Sequence, residues 1–264
     1  MDSQKIHHFV WFGRDAPHLD KPAINICNSM VIGCYGGNKG SGADKNEDTA
    51  WCLAGDDWQI GMLCDAHNSA ESSTCITELF NRYQQKFTEI MIQPLDRAFP
   101  KLQHFILQLF TEQTYQNIRG ETAVLVCAQK GGFLSWFCIG DNVVYLLHPE
   151  LKKLGQTALN QRNFYEWVGA ANTFDLPVPC YSSGIREIRQ GKNLVIMTTD
   201  GLLECGSRPF ENPQYFFDHF TQSINLEHAV QSALDIVHVE QGKDSATIIA
   251  WSVENNCKVS YPTQ

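Results

Sequence analysis

The chain has 264 residues, of which 43% are hydrophobic and 19% charged, and its formal net charge is −9. This composition supports a buried core and excludes a disordered chain. The acidic balance argues against general nucleic-acid binding, which requires a basic surface. The polar start, Met1 to His8, shows no secretory signal, and no apolar run approaches the roughly 20 residues needed to span a membrane.

Ten cysteines are spread along the chain, and none forms a C-x-x-C pair. Four of them, Cys64, Cys75, Cys127 and Cys138, fall inside predicted strands or helices. Without an export signal, this distribution favours reduced, buried thiols over a disulfide framework or a zinc site. We therefore predict a cytoplasmic protein.

The first third of the chain predicts strands followed by helices. The β-rich runs, in order, are Lys5–Gly13, Asn25–Tyr35, Thr49–Ala54 and Trp58–Asp65. Gly55-Asp56-Asp57 is typical of a turn between the last two runs. Apolar residues at helical spacing from Ile76 to Ile90 predict a helix that Pro94 ends. A second helix is predicted around Leu102 to Phe110, with Pro100 in its first turn.

The remainder predicts further strands and two helices. The strands are Thr122–Gln129, Phe133–Ile139, Val143–Leu147, Ile185–Arg189, Leu194–Thr199 and Ser245–Val253, with a final one near Lys258–Tyr261. Turn residues between the first three indicate a meander. Asn212-Pro213 is typical of a helix start, and Leu226 to Val237 gives another apolar face. Leu151–Cys180 is expected to be mostly irregular, with the aromatics of Gln161–Trp167 buried in it rather than exposed for docking.

Four aspartates each adjoin a predicted strand. Asp48 and Asp244 directly precede strands, whereas Asp65 and Asp200 directly follow them. Carboxylates at strand ends can converge at one mouth of a stack of sheets. Hard oxygen ligands without histidine or cysteine partners favour Mg²⁺ or Mn²⁺ over zinc.

A series of short motifs contains these aspartates. In order, the motifs are Asn46-Glu47-Asp48, Asp65-Ala66-His67, Gly120-Glu121-Thr122-Ala123, Gly140-Asp141-Asn142, Thr199-Asp200-Gly201 and Asp244-Ser245-Ala246-Thr247. Each motif alone is weak, but the ordered set resembles that of the type 2C metal-dependent protein phosphatases from about Gly33 to Val253. The resemblance implies an α+β fold, a four-layer α-β-β-α sandwich of two antiparallel sheets flanked by helix pairs. It also implies one domain over residues 1–264, with a variable flap-like segment at about 151–181.

The resemblance further implies a two-metal centre. Asp65 would bridge both Mg²⁺ or Mn²⁺ ions, and Asp200 and Asp244 would complete the first site. Asp141 matches a position that, with Asp200, can hold a weaker third ion. Two adjacent cations lower the pKa of a bridging water, which would then attack phosphorus in line.

The motif around Asp65 supplies the second metal site and a candidate acid. The backbone carbonyl of Ala66, with Glu47 and Asp48 directly or through water, would hold the second ion. His67 matches a histidine that is proposed in relatives to protonate the leaving group. Where the family carries Asp-Gly-x-Gly-Gly, this chain lacks the glycines, which predicts a different loop path.

Ala43 is the main departure from the pattern. The family usually has an arginine there to hold the substrate phosphate. Lys39 or Lys45 could supply a positive charge, although neither offers the bidentate guanidinium fork of an arginine. We predict Lys45 as the residue that binds the substrate phosphate. Arg162 or Arg186 could also substitute.

The leading interpretation is a monomeric phosphoserine/phosphothreonine protein phosphatase that acts on a phosphorylated protein. Two alternatives stay open. One is a pseudophosphatase-like binding or regulatory module, favoured by Ala43 but opposed by the retained acids. The other is a phosphatase that acts on a small phosphorylated metabolite.

Overall fold

The computed structural model describes residues 5–112, 115 and 117–261. The strands of these residues are β1 His7–Phe12, β2 Ala23–Cys27, β3 Met30–Tyr35, β4 Thr49–Ala54, β5 Trp58–His67, β6 Glu121–Lys130, β7 Phe133–Ile139, β8 Val143–Leu147, β9 Val168–Gly169, β10 Ser182–Glu187, β11 Gly191–Thr198 and β12 Ala246–Asn255. Their helices are α1 Glu71–Arg82, α2 Gln84–Met91, α3 Leu95–Glu112, α4 Pro149–Lys153, α5 Asp200–Glu204, α6 Pro213–Gln222 and α7 Leu226–Val239. Each described helix is too short or too polar to cross a bilayer.

The strands form two sheets. The first has the order β1-β4-β5-β6-β7-β10, with β9 paired to β6, and the second has the order β2-β3-β12-β11-β8. Neighbouring strands are antiparallel in both sheets. The predicted α+β class is therefore confirmed.

Alternating side chains divide the core into three layers. On β5, Met62 packs with the helices α1 to α3, whereas Leu63 packs against the second sheet. On β12, Ile249 and Trp251 face the first sheet, whereas Ile248 packs with α5 to α7. Because successive side chains of a strand point to opposite faces, both central sheets are buried on both sides. The four-layer α-β-β-α sandwich is confirmed.

Three predicted boundaries of strands and helices were wrong. Two predicted elements are each divided in two, and one helix begins earlier than predicted. Asn25–Tyr35 is a hairpin rather than one strand, with Asn28 at φ 54° in its turn. The helix predicted over 76–90 is interrupted at Tyr83 and continues as α2. Pro94 precedes α3 rather than only ending a helix, so that Pro100 lies inside α3 instead of in its first turn.

The predicted meander was also wrong, because its third strand belongs to the other sheet. β6 and β7 pair as expected, but β8 pairs with β11. The crossing occurs at Gly140, whose φ is 91° and where an added Cβ would lie 2.6 Å from the Cβ of Ala123. Only glycine fits this close approach, and the crossing carries Asp141 to the end of both sheets. No strand forms at 258–261 among the described residues.

All ten cysteines lie in the described part of the chain and are free. Seven of them are buried, and two, Cys180 and Cys257, are exposed. Burial raises the pKa of the Cys27 and Cys205 thiols to about 11, which keeps them protonated and unreactive. The predicted role of most of them as small core residues agrees with this burial.

Candidate metal centre

Strand pairing brings the acidic residues of the first sheet together. β4 begins beside the end of β5, with Thr49 opposite Cys64. Asp48, immediately before β4, and Asp65, near the end of β5, therefore lie at the same edge. Both carboxylates are buried, at 1% and 5% exposure respectively.

The second sheet presents its acids at this end as well. β11 ends beside the start of β12, so that Asp200 and Asp244 adjoin the same pair of strands. The Thr199 amide donates to the Thr247 carbonyl at 3.1 Å. A Cβ on Gly201 would lie 1.9 Å from the carbonyl oxygen of Ser245, so this backbone approach requires glycine.

Asp48 also joins the two sheets directly. The Thr247 hydroxyl donates to Asp48 Oδ2 at 2.6 Å, and the Thr199 hydroxyl donates to the same oxygen at 3.3 Å. In turn, Thr199 Oγ1 accepts from the Thr247 amide at 2.9 Å. The predicted metal ligand of one sheet is thus held by two threonines of the other.

A cavity of about 300 Å³ opens over this end of the sandwich. Its lining includes most of the predicted site residues: Lys45, Glu47, Asp48, Asp65, Ala66 and Asp244. Asp200 and Asp141 lie beside it and share a contact with Arg162, at 3.4 and 3.6 Å from Nη2. The structure therefore brings the predicted acids to one place, although not all of them line the cavity.

Burial and neighbouring carboxylates raise the pKa of three of these acids. Burial raises the pKa of Asp65 well above its ordinary value, and the charges of Asp48, Asp200, Asp244 and Asp141 raise it further. The pKa of Asp48 is also raised, chiefly by burial. Burial, with the charges of Asp244 and Asp141, raises the pKa of Asp200 to about 6. Such a cluster favours whatever positive charge can enter it.

The donor atoms fit a divalent cation. Asp65 Oδ2 and Asp200 Oδ1 are buried and have no hydrogen-bond partner. Hard oxygen donors of this kind suit Mg²⁺ or Mn²⁺. As placed, however, no three histidine, cysteine, aspartate or glutamate side chains of the described residues form a complete ligand group around one point. Mutual repulsion of carboxylates opposes such close convergence.

His67 lies at the exposed end of β5, next to the cavity-lining Ala66 but outside the cavity lining. The loop after it keeps a left-handed residue despite the lost glycines, because Asn68 adopts φ 69°. Asparagine tolerates this conformation better than most residues. The Asn68 amide also donates to Glu121 at 2.8 Å, which fixes the loop.

Two of the candidate phosphate-binding residues are engaged elsewhere. Lys39 pairs with Asp20 at 3.7 Å. Arg186 donates to the side chain of Gln156 at 2.9 Å and lines a different cavity. Neither contributes to the lining of the acidic cavity.

The acidic cavity contains two lysines. Lys45 pairs with Glu47 at 2.6 Å. Lys243, which the sequence reasoning did not single out, also lines the cavity, and its Cε lies 3.8 Å from where a Cβ on Gly42 would be. No carboxylate of the described residues pairs with Lys243. Its position directly before Asp244 was the available signal.

No protein-family model matches the chain, and no curated protein matches it in sequence. Solved structures do share its fold. A bacterial serine phosphatase aligns with a TM-score of 0.61 at 15% identity, over 87% of this chain and 99% of that one. The Mycobacterium tuberculosis serine/threonine phosphatase PstP/Ppp gives 0.60 at 15%, over 86% and 98%. RsbX in complex with magnesium gives 0.58 at 15%, over 88% and 98%.

The chain therefore has the fold of the PPM-type serine/threonine phosphatases, as the motif resemblance implied. At about 15% identity, the likeness to these structures is one of fold.

The raised pKa values predict that the metal-free protein loses stability as the pH rises. The pKa of Asp200 is about 6 in the folded chain against an ordinary 3.8, so the folded state binds more protons between these values. The free energy of unfolding should therefore fall through this window, by roughly 3 kcal/mol for this group. Thermal melting in EDTA from pH 4 to pH 7 measures the effect.

Mn²⁺ should reverse this loss, and its stabilising effect should be greater at pH 7 than at pH 4. The control is Asp200→Asn, which should flatten part of the pH dependence. A melting temperature in EDTA that stays constant or rises over this range would contradict the electrostatic account.

Proposed function

We propose that this chain is an Mg²⁺- or Mn²⁺-dependent phosphoserine/phosphothreonine protein phosphatase. The observation that carries the proposal is the meeting of carboxylates from both sheets around one cavity. That meeting occurs in a fold whose solved examples are named serine/threonine phosphatases. RsbX, which shares this fold, is in complex with magnesium in its solved structure, and this supports a divalent ion here.

The proposed ligands are residues that line the cavity, together with Asp200 beside it. Asp65 would bridge two ions, since it is buried among the other acids and its Oδ2 has no partner. Asp200 and Asp244 would complete one site, and the Ala66 carbonyl with Glu47 would serve the other. When bound, the ions lower the pKa of a water and offset the charge of the phosphate.

Asp48 has a less direct role in this proposal. Its Oδ2 accepts from both Thr199 and Thr247, which leaves only Oδ1 for an ion or a water. It would therefore both ligate and hold the sheets in register. Lys243 would bind the substrate phosphate, since Lys45 is paired with Glu47.

Exposed aromatic residues beside the site favour a protein substrate over a small metabolite. Phe164 and Tyr165, predicted to be buried, are 58% and 85% exposed. Phe164 packs against the guanidinium of Arg162, which contacts Asp141 and Asp200. An exposed apolar surface beside the acids suits a polypeptide substrate, which extends beyond its phosphorylated residue.

Asp65 is the carboxylate whose loss should affect hydrolysis most, since it is proposed to bridge both ions. Asp65→Asn should lower the rate of Mn²⁺-dependent hydrolysis of an aryl phosphate by about two orders of magnitude or more, because a charge-stabilising group is lost. Asp56→Asn is the matched control, since Asp56 is an exposed turn residue. Equal activity in wild type and Asp65→Asn would contradict the proposal. Inactivity of the wild type on every phosphate ester, without Mn²⁺ binding, would favour the binding-module alternative.

Lys243→Ala should raise KM for phosphopeptides by about tenfold, on the scale of one lost charge-assisted hydrogen bond, and change kcat less. Lys243→Arg should retain most of the affinity. Lys45→Ala is the comparison, because Lys45 already has a carboxylate partner. A larger KM effect from Lys45→Ala than from Lys243→Ala would assign the phosphate contact to Lys45.

His67 is proposed as the general acid on the strength of its position two residues after Asp65. His67→Gln should slow phosphoserine peptides, whose alkoxide leaves poorly, by about 100-fold, and slow aryl phosphates much less. Steady-state rates on both substrate types measure the difference. Similar losses on the two would remove this role.

A further inference from the structure

Arg162 is surrounded by carboxylates. Its Nη2 lies 2.6 Å from Glu204, 3.4 Å from Asp200 and 3.6 Å from Asp141, and its Nη1 lies 3.9 Å from Glu211. Only 18% of the side chain is exposed. A guanidinium in this position is permanently charged and well shielded from water. It therefore neutralises the acids more effectively than a surface ion pair would.

The backbone on either side fixes Arg162 to the crossing between the sheets. The Asn163 amide donates to the Gly140 carbonyl at 3.1 Å. The Gly140 amide donates to the Glu166 carboxylate at 3.5 Å. Phe164 lies under the guanidinium, with 5.1 Å between the ring centroid and Cζ. The irregular segment is thus bound to the same turn that carries Asp141.

These contacts leave Arg162 poorly suited to hold a substrate phosphate. Its Nη2 is already shared among Glu204, Asp200 and Asp141. It is also outside the lining of the acidic cavity, where Ala43 lies. The guanidinium instead lies between Asp141 and Asp200 and contacts both.

The two oxygens of Asp200 have different surroundings. Oδ2 contacts Arg162 at 3.4 Å, whereas Oδ1 is buried without a partner. Asp200 can therefore satisfy Arg162 with one oxygen and keep the other for an ion shared with the acidic cavity. Asp141 shows no such division: its Oδ2 contacts Arg162 at 3.6 Å, and neither of its oxygens is among the buried, unpartnered atoms of the described residues.

We propose that Arg162 is a built-in substitute for a divalent ion between Asp141 and Asp200, so that this centre closes with two ions and excludes a third. The proposal rests on the proposed metal centre and gives Asp141 a role other than the one that the resemblance implies. A divalent cation at this position would meet a fixed guanidinium within contact distance, and two like charges there repel strongly in a partly buried site. Asp141 then acts as a counter-ion of Arg162 rather than as a metal ligand.

Mn²⁺ titration calorimetry on the full, metal-stripped chain tests this without relying on activity. Wild type and Asp141→Asn should both bind about two ions, and Arg162→Gln should gain one further, weaker site. The double variant Arg162→Gln/Asp141→Asn should lose that extra site. Arg186→Gln is the matched control, since Arg186 lies at a different cavity, and it should bind as wild type does.

Three results would overturn the proposal. They are an unchanged ion count in folded Arg162→Gln, an extra site that persists in the double variant, and a third ion in wild type that Asp141→Asn removes. If Arg162→Gln does not fold, the ion counts of wild type and Asp141→Asn decide the question. Equal counts of about two support the proposal, and a lower count in Asp141→Asn overturns it. A wild type that binds no Mn²⁺ and hydrolyses nothing would refute the proposed function itself. A hydrolytically active two-ion wild type with contrary variants would refute only the role of Arg162.

Discussion

The contact between Asp48 and Thr247 is the interaction on which the acidic cavity depends. It connects the start of β4 in one sheet to the start of β12 in the other, at 2.6 Å and away from water. A hydrogen bond to a buried carboxylate is stronger than one between neutral groups, and leaving either partner unpaired is costly. The two sheets are therefore aligned at the same place where their acids meet.

This alignment concentrates negative charge at one end of the sandwich. The repulsion among the acids disfavours folding. Asp48, Asp65 and Asp200 are all buried, and burial together with neighbouring carboxylates raises the pKa of each. Natural proteins retain such unfavourable clusters chiefly at functional sites. The rest of the sandwich compensates with three separate apolar layers, in which strands buried on both faces hold the strand ends rigidly. Stability of the core and reactivity of the site are thus spatially separated.

Much of this arrangement followed from the sequence, because antiparallel strands bring the end of one beside the start of the next. That rule places Asp65 near Asp48 and Asp200 near Asp244 once the strands are recognised. It failed where pairing is not between neighbours in the chain, as for β8, which leaves its hairpin partner at Gly140 and joins β11. Side chains on irregular backbone were also inaccessible to pattern reasoning. The environment of Arg162 depends on contacts of a segment without periodicity.

The positive charges of the chain are distributed unusually for the chemistry that we propose. Ala43 lines the cavity, whereas Arg162, which is paired with several carboxylates, lies beside the cavity next to Asp200. A cation there lowers the repulsion among the acids even before an ion enters, but it cannot help to bind the phosphate. In the proposed phosphatase, substrate affinity would then come from lysine, bound ions and the exposed aromatics near Arg162. A lysine ammonium offers no planar fork, so phosphate recognition becomes less geometrically selective. Selectivity would shift towards the polypeptide surrounding the phosphorylated residue.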